Sequence, residues 1–169
     1  VDGHDTAALI KVMKRAKREK KPVLIHVRTK KGKGYRPAED RPNDFHGVSS
    51  FDIETGESKK MGSKPTYSDV FGNKMCRIAS NKKDLAVISA AMIDGTGLSK
   101  FEKKYPEMIF DVGIAEQHAV TFSAGMAAKG LLPYCNIYSS FMQRAFDSVI
   151  HDVATQNLKV VFCLDRGGL

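Results

Sequence analysis

Residues Ile109 to Gly130 read IFDVGIAEQHAVTFSAGMAAKG and set a carboxylate, an amide and an imidazole side by side: Glu116, Gln117 and His118. The residues before that triplet have the apolar character of a short buried strand. Those after it, Ala119 to Ala128, are apolar nearly all round if they are helical. A carboxylate in the first turn of a helix is favoured by the helix dipole alone. Here, between a buried strand and an apolar helix, it is also partly desolvated and needs a hydrogen-bond donor. A ring nitrogen of a heterocyclic ligand would serve. A carboxylate so placed could exchange a proton with that ring and shift its tautomer.

Other chemically capable residues are less telling. DGTGLSK follows a strand-like run, but Lys100 stands where a dinucleotide fingerprint needs its third glycine. GKGY lacks the spacing of a P-loop, and Ser123 in FSAGM does not lie in a nucleophile elbow. No cluster of His, Cys and Asp has metal-ligand spacing. His151 reads as an exposed helix pair with Asp147, and Arg144 as another. His26 reads as a satisfied core or edge histidine. By itself Phe141 reads as helix core, and His46 as a solvated loop residue.

The elements that position these residues follow from periodicity. PVLIHVRT (22–29) is a compact apolar run, expected to be a buried strand, and it leads into the basic glycine turn KKGKGY. From Arg36 to about Lys64 the pattern dissolves into Pro, Gly, Ser, Asp and Glu, a stretch long for a loop inside one compact domain, which reads as a connection between two domains, a functional loop, or both. From residue 65 strands and helices alternate. A helix over SDVFGNKMCRIASNK precedes a strand at 84–92, and a further helix is possible through Lys103. A strand at 109–113, a helix at 116–129, a strand at 132–138, a helix at 141–156 and a strand at 159–165 follow. Short strands apolar on both faces imply an α/β fold, with parallel sheets flanked by helices. Such sheets bind ligands beyond the carboxyl ends of their strands. Lys30–Tyr35, Gly113–Glu116, Tyr138–Arg144 and Asp165–Gly168 all occupy such ends.

Composition excludes several classes. At 169 residues and 42% hydrophobic content the chain can bury a real core, and no apolar run is long enough to span a bilayer. The charged N-terminus VDGHDTAALI lacks the flanks of a secretory signal. Cys76, Cys135 and Cys163 are odd in number and far apart, as expected of reduced core thiols in a cytosolic protein. Of the net charge of +8, residues 11–34 carry +10, which leaves the remainder of the chain at about −2. That basic cluster raises a nucleic-acid-binding module as one reading. Ile10, Met13 and Ala16 at helical spacing, with Asp5 or Thr6 as N-cap, favour the solvated face of an amphipathic helix instead. The chain opens without Met and ends at DRGGL directly after a strand, so an excised segment of a longer polypeptide is expected.

DVGIAEQHAVTFSAGMA and IYSSFMQRAFDSVIHDVATQ together resemble the 1-deoxy-D-xylulose-5-phosphate synthases, thiamine-diphosphate enzymes related to transketolase. VDGHD, TKKGKGYRPAE, FHGVSSFD and LDRGGL match the same family in the same order. The resemblance covers essentially the whole chain and implies a thiamine-diphosphate-binding fold. Residues 1–50 would close the diphosphate-binding domain, 51–64 link, and 65–169 open the pyrimidine-binding domain.

Through the resemblance, Glu116 matches the glutamate that hydrogen-bonds N1′ of the cofactor's aminopyrimidine, so that the ring's exocyclic nitrogen can take the thiazolium C2 proton. Phe141 matches the aromatic residue stacked on that ring, and Tyr35 a tyrosine that contacts the cofactor. His46 matches an active-site histidine suited to proton transfer or to holding substrate oxygens. Tyr138 and Arg144 match positions lining the substrate channel. The glycines at 32 and 34 would let backbone approach the diphosphate, with lysines nearby. Implied substrates are pyruvate and D-glyceraldehyde 3-phosphate, and implied products carbon dioxide and the pentulose phosphate that feeds isoprenoid, thiamine and pyridoxal synthesis.

The family's Mg²⁺ ligands, Gly-Asp-Gly with a later Asn, lie outside these residues, so the segment alone is expected to be inactive. Implied partners are the remainder of its own chain and a second copy in a homodimer, with no nucleic acid and no membrane. The implied location is bacterial cytoplasm or plastid stroma. A transketolase-type ketol transferase shares Glu116 and the stacking aromatic and stands as the alternative; loss of carbon dioxide from pyruvate separates the two.

Overall fold

Leu85 to Ser89, LAVIS, is buried along its whole length, and that requirement shapes everything packed around it. Alternate side chains of a strand point to opposite faces, so a fully buried strand needs cover on both. In the computed structural model, which describes residues 1–59 and 64–168, it has that cover. The chain divides into two compact units, Val1–Ser63 and Lys64–Leu169.

The second unit holds one parallel sheet of four strands: β1 (Leu85–Ser89), β2 (Ile109–Asp111), β3 (Leu132–Tyr138) and β4 (Val161–Asp165), in the order β2-β1-β3-β4. Leu85 pairs with Leu132 and Ser89 with Asn136, and β4 joins β3 from Tyr134 opposite Val161 to Tyr138 opposite Asp165. Leu85 and Val87 pack with Met75, Ala79, Leu98 and Phe101 on one face. Those residues come from α3 (Tyr67–Ala79) and from α4 (Ser99–Lys104) with the loop before it. Ala86 and Ile88 pack on the other face with Ala119, Val120 and Ala124 of α5 (Glu116–Ala128) and with Ala145 and Val153. Thr66 caps α3, accepting from the Asp69 N–H while the Asp69 carboxylate accepts from the Thr66 N–H.

Two expectations for this unit need correction. Residues 141–156 are not one helix. The chain runs through α6 (Ser139–Met142), a 3₁₀ turn (Gln143–Ala145), α7 (Phe146–Ser148) and a π-helical stretch (Val149–Ala154). Ala145, fully buried, leaves the α region at φ −113° and ψ 15°. Thr121 of α5 donates to Asp152 at 2.5 Å within the widened turn. The helix at 116–129, read as apolar nearly all round, is buried along only one face, since Gln117, His118, Thr121 and Gly125 are exposed.

In the first unit, α1 (Thr6–Ala16) is capped by Asp5, whose carboxylate accepts from the Ala8 N–H at 2.9 Å. Residues 22–29, expected to form a buried strand, make only one bridge, Asp2 to Arg28. Leu24 is 94% exposed, and His26, expected in a core or at an edge, is exposed too. A strand is buried only when neighbours cover it, and among its described residues the first unit contributes a single bridge to this run.

The stretch after Arg36 is more ordered than its composition implies. It forms α2 (Arg36–Asp40), a bridge between Phe51 and Ser58, and a cluster of Tyr35, Phe45 and Phe51 rings 5.3–6.1 Å apart. Lys60 to Ser63 of the expected linker, and Leu169 of LDRGGL, lie outside the described residues.

Candidate active site

Glu116 opens α5 directly beyond the carboxyl end of β2, after a turn in which Gly113 has φ 72°. Asp111 builds that turn, its Oδ1 accepting from the N–H groups of Gly113 and Ala91, each at 2.8 Å. The Glu116 side chain is 2% exposed, and its Oε1 accepts from Arg144 Nη1 at 2.6 Å. Twenty-eight residues separate the pair, and the sheet brings them together. Arg144, read from sequence as a partner of Asp147, pairs with Glu116 instead. Likewise His151 pairs with Asp152, at 2.8 Å, rather than with Asp147.

The same guanidinium lies over the Phe141 ring, 4.8 Å from its centroid. Phe141 in turn stacks on Tyr138 at 5.8 Å, with 22° between the rings, and Arg166 lies 4.9 Å over Tyr138. The structure thus gathers four of the six residues singled out by sequence, Glu116, Tyr138, Phe141 and Arg144, into one continuous cluster at the carboxyl end of the sheet. A buried acceptor, flat aromatic faces and cations at one strand end can hold a planar heterocycle with an N–H and an anionic substituent. His118 stands apart, exposed and stacked on Phe122.

Two further residues shape this cluster, Gly95, which no motif marks, and Arg166 of LDRGGL. Gly95 lies against the Tyr138 hydroxyl so closely that a Cβ would overlap it. Arg166, at φ 59°, is fixed by Ser139 Oγ donating to its carbonyl at 2.9 Å and by its own N–H donating to Asp165 Oδ1. For Gly95 the sequence offered only its place beyond the end of β1, whereas Arg166 lies in LDRGGL at the end of β4. The thiols near the sheet are unsuited to nucleophilic work: burial pushes both Cys135 and Cys163 up to about 11.

The first unit carries the other two candidates. Tyr35 is half-buried against Phe45 and Phe51, and its hydroxyl donates to the Ile53 carbonyl at 2.7 Å. His46 is exposed, and Lys31 Nζ donates to its Nδ1 at 3.0 Å. An ammonium can only donate, so in this contact Nδ1 is the acceptor and the ring proton sits on Nε2.

The glycine turn is engaged from within. Gly34 N–H donates to Glu39 Oε1 at 2.9 Å, and Lys30 pairs with Oε2 at 2.6 Å. The Lys30 ammonium first, and the Gly34 N–H second, hold the Glu39 carboxyl down at about 2. Among the described residues no group of three or more His, Cys, Asp or Glu could hold a metal ion, and no helix is long and apolar enough to cross a membrane.

A family model described as the transketolase pyrimidine binding domain matches residues 63–169. Over the full chain, curated 1-deoxy-D-xylulose-5-phosphate synthases are similar: 57% identity in Clostridium tetani, 56% in Halothermothrix orenii and 53% in Pelotomaculum thermopropionicum. The chain covers 27%, 27% and 26% of those proteins, about a quarter of their length. A solved split-gene transketolase, described as an inactive β4 tetramer, is similar at a TM-score of 0.52 and 26% identity. That match covers 57% of this chain and 32% of the other.

Proposed function

We propose, for a chain that belongs to the transketolase pyrimidine-binding domain family, that it is part of a thiamine-diphosphate-dependent 1-deoxy-D-xylulose-5-phosphate synthase. The whole protein joins pyruvate to D-glyceraldehyde 3-phosphate with loss of carbon dioxide. One observation carries this reading: a carboxylate, Glu116, buried beyond the carboxyl end of a parallel strand, with the Phe141 ring reached through the same arginine. Identity of 52–57% to synthases across the whole chain, against 26% to the transketolase, favours this chemistry over ketol transfer.

Thiamine diphosphate fits these residues, because its aminopyrimidine is flat and needs an acceptor at a ring nitrogen. Glu116 and Phe141 would hold that ring, and Tyr35 would contact the cofactor in the first unit. When bound, the cofactor supplies the electron sink for decarboxylating a 2-oxo acid. The chain's own residues do the rest. Glu116, sealed from water, holds the proton at the ring nitrogen. Phe141 fixes the ring's plane. Tyr138 and Arg144 hold carboxylate or phosphate oxygens of the substrates. His46, with Nδ1 occupied by Lys31, offers an Nε2–H to a substrate oxygen and so acts as a donor.

Residues 1–50 are read as the end of the diphosphate-binding domain, 51–64 as a link, and 65–169 as the start of the pyrimidine-binding domain. The remainder of the protein supplies the Mg²⁺ ligands and covers the exposed apolar run at Val23, Leu24 and Val27. The assembly is read as a homodimer, in bacterial cytoplasm or plastid stroma. The full-length protein, given pyruvate, D-glyceraldehyde 3-phosphate, Mg²⁺ and thiamine diphosphate, is expected to release carbon dioxide and form 1-deoxy-D-xylulose 5-phosphate. Two-carbon transfer from a ketose phosphate, with no carbon dioxide released from pyruvate, would assign it to the transketolases instead.

A further inference from the structure

Arg144 makes two contacts at once, and they are the two that the reading above assigns to the aminopyrimidine ring. Its Nη1 donates to Glu116 Oε1 at 2.6 Å, and its planar guanidinium lies 4.8 Å over the Phe141 ring. A guanidinium and an aminopyrimidine share the features such a place selects: both are flat, carry N–H donors in the plane and stack on an aromatic face. Glu116 has no other side-chain partner among the described residues, so it is satisfied by whichever group is present. The carboxylate has lone pairs to spare, but one face of the Phe141 ring takes one planar group at a time, so guanidinium and aminopyrimidine compete for that face.

We infer that Arg144 is an internal stand-in for the cofactor's pyrimidine, occupying Glu116 and Phe141 until the ring displaces it. This rests on the assignment of Glu116 and Phe141 to that ring. Exchange is feasible in place, because the Arg144 side chain is 44% exposed while Glu116 is 2% exposed. The arginine can swing toward solvent while the carboxylate stays fixed. In both end states the buried carboxylate has a donor, the guanidinium in one and the ring in the other. Once displaced, the same guanidinium is free to meet an anionic substrate. Arg144 is thereby a positioning residue that keeps Glu116 in place before the cofactor arrives, at the expense of a slower entry for the ring. The competent arrangement is only a fraction of the population, and apparent affinity falls by that fraction.

The test uses the full-length protein with Mg²⁺ and follows thiamine diphosphate binding by stopped-flow fluorescence and calorimetry. Arg144→Met removes the stand-in, and Arg144→Lys keeps a cation for Glu116 but loses the flat fork, so Lys covers the case in which Met fails to fold. Association is expected to quicken roughly five- to tenfold in Met and by less in Lys, with dissociation little changed. Inorganic pyrophosphate, which has no ring, is expected to bind the variants no more tightly than it binds the wild type.

Association unchanged or slower in both variants would overturn the inference, although wild-type binding of the cofactor would leave the functional reading intact. A gain confined to slower dissociation would overturn it in favour of an effect on the Glu116 proton. A gain shared by pyrophosphate would do so in favour of an effect at the diphosphate. No binding of thiamine diphosphate by the wild type would remove the functional reading itself, and the inference with it.

Discussion

Burying a carboxylate costs several kcal/mol unless a donor reaches it, and for Glu116 the donor comes from a residue 28 positions later in the chain. The carboxylate was legible in the sequence, because its place between a strand and an apolar helix already demanded a partner. The partner was not: sequence spacing favoured Asp147 for Arg144, and only the strand order β2-β1-β3 decides otherwise. Gly95 was equally silent, since its role is an absence, the missing Cβ beside the Tyr138 hydroxyl. Gly95→Ala is expected to push the Tyr138 ring off Phe141 and to destabilise the protein by about 1–3 kcal/mol in denaturant unfolding. A value within about 0.5 kcal/mol of wild type would mean that the ring yields freely. Glu39 gives a pH-dependent case. Its folded value of about 2 lies below the ordinary 4.5, so its contacts contribute above about 4.5 and are lost as pH falls from there toward 2. Protection of the Gly34 amide in hydrogen exchange should therefore persist at pH 5, and Glu39→Gln should lower it there. Equal protection in both proteins would mean that the carboxylate does not anchor the turn.

At the scale of elements, the strands of the second unit were the most readable feature, because strands buried on both faces are apolar without interruption. LPYCNIY forms β3 over the full expected span, Leu132–Tyr138. The segment after it misled for a physical reason. Its apolar spacing is helical throughout, yet burying Ala145 and tying Asp152 to Thr121 changes the winding from 3₁₀ to π within a dozen residues. The breaks set Phe141 and Arg144 on separate short turns, close enough for the guanidinium to lie over the ring. On the opposite face of the sheet, α3 meets the loop before α4 through glycines. A Cβ on Gly72 would overlap the Gly97 carbonyl, and one on Gly97, at φ 76°, would overlap the Ser68 carbonyl. Neither obstacle is a flexible side chain. Gly72→Ala is thus expected to cost about 1–3 kcal/mol of stability despite improved helix propensity. A stabilised variant would show that α3 can slide away from the loop without loss.

For the molecule as a whole, the two units differ in how completely their own residues explain them. The second closes a core on both faces of its sheet. In the first, the apolar run at 22–29 keeps Leu24 exposed, and the expectation of a buried strand failed because a strand's pattern records the neighbours it needs and not those it has. The chain spans about a quarter of the length of its synthase relatives, so those neighbours are proposed to lie in the rest of the protein. Glu116 remains the center of the account at every scale, and the most direct measurement is made in the full-length protein with Mg²⁺ and saturating thiamine diphosphate. Carbon dioxide release from pyruvate, with and without D-glyceraldehyde 3-phosphate, is compared between wild type and Glu116→Gln. Acceptor-stimulated release is expected in the wild type and a fall of at least about 100-fold in the variant, with cofactor binding still detectable. Release within about threefold of wild type would contradict it and reduce Glu116 to a carboxylate at a helix start.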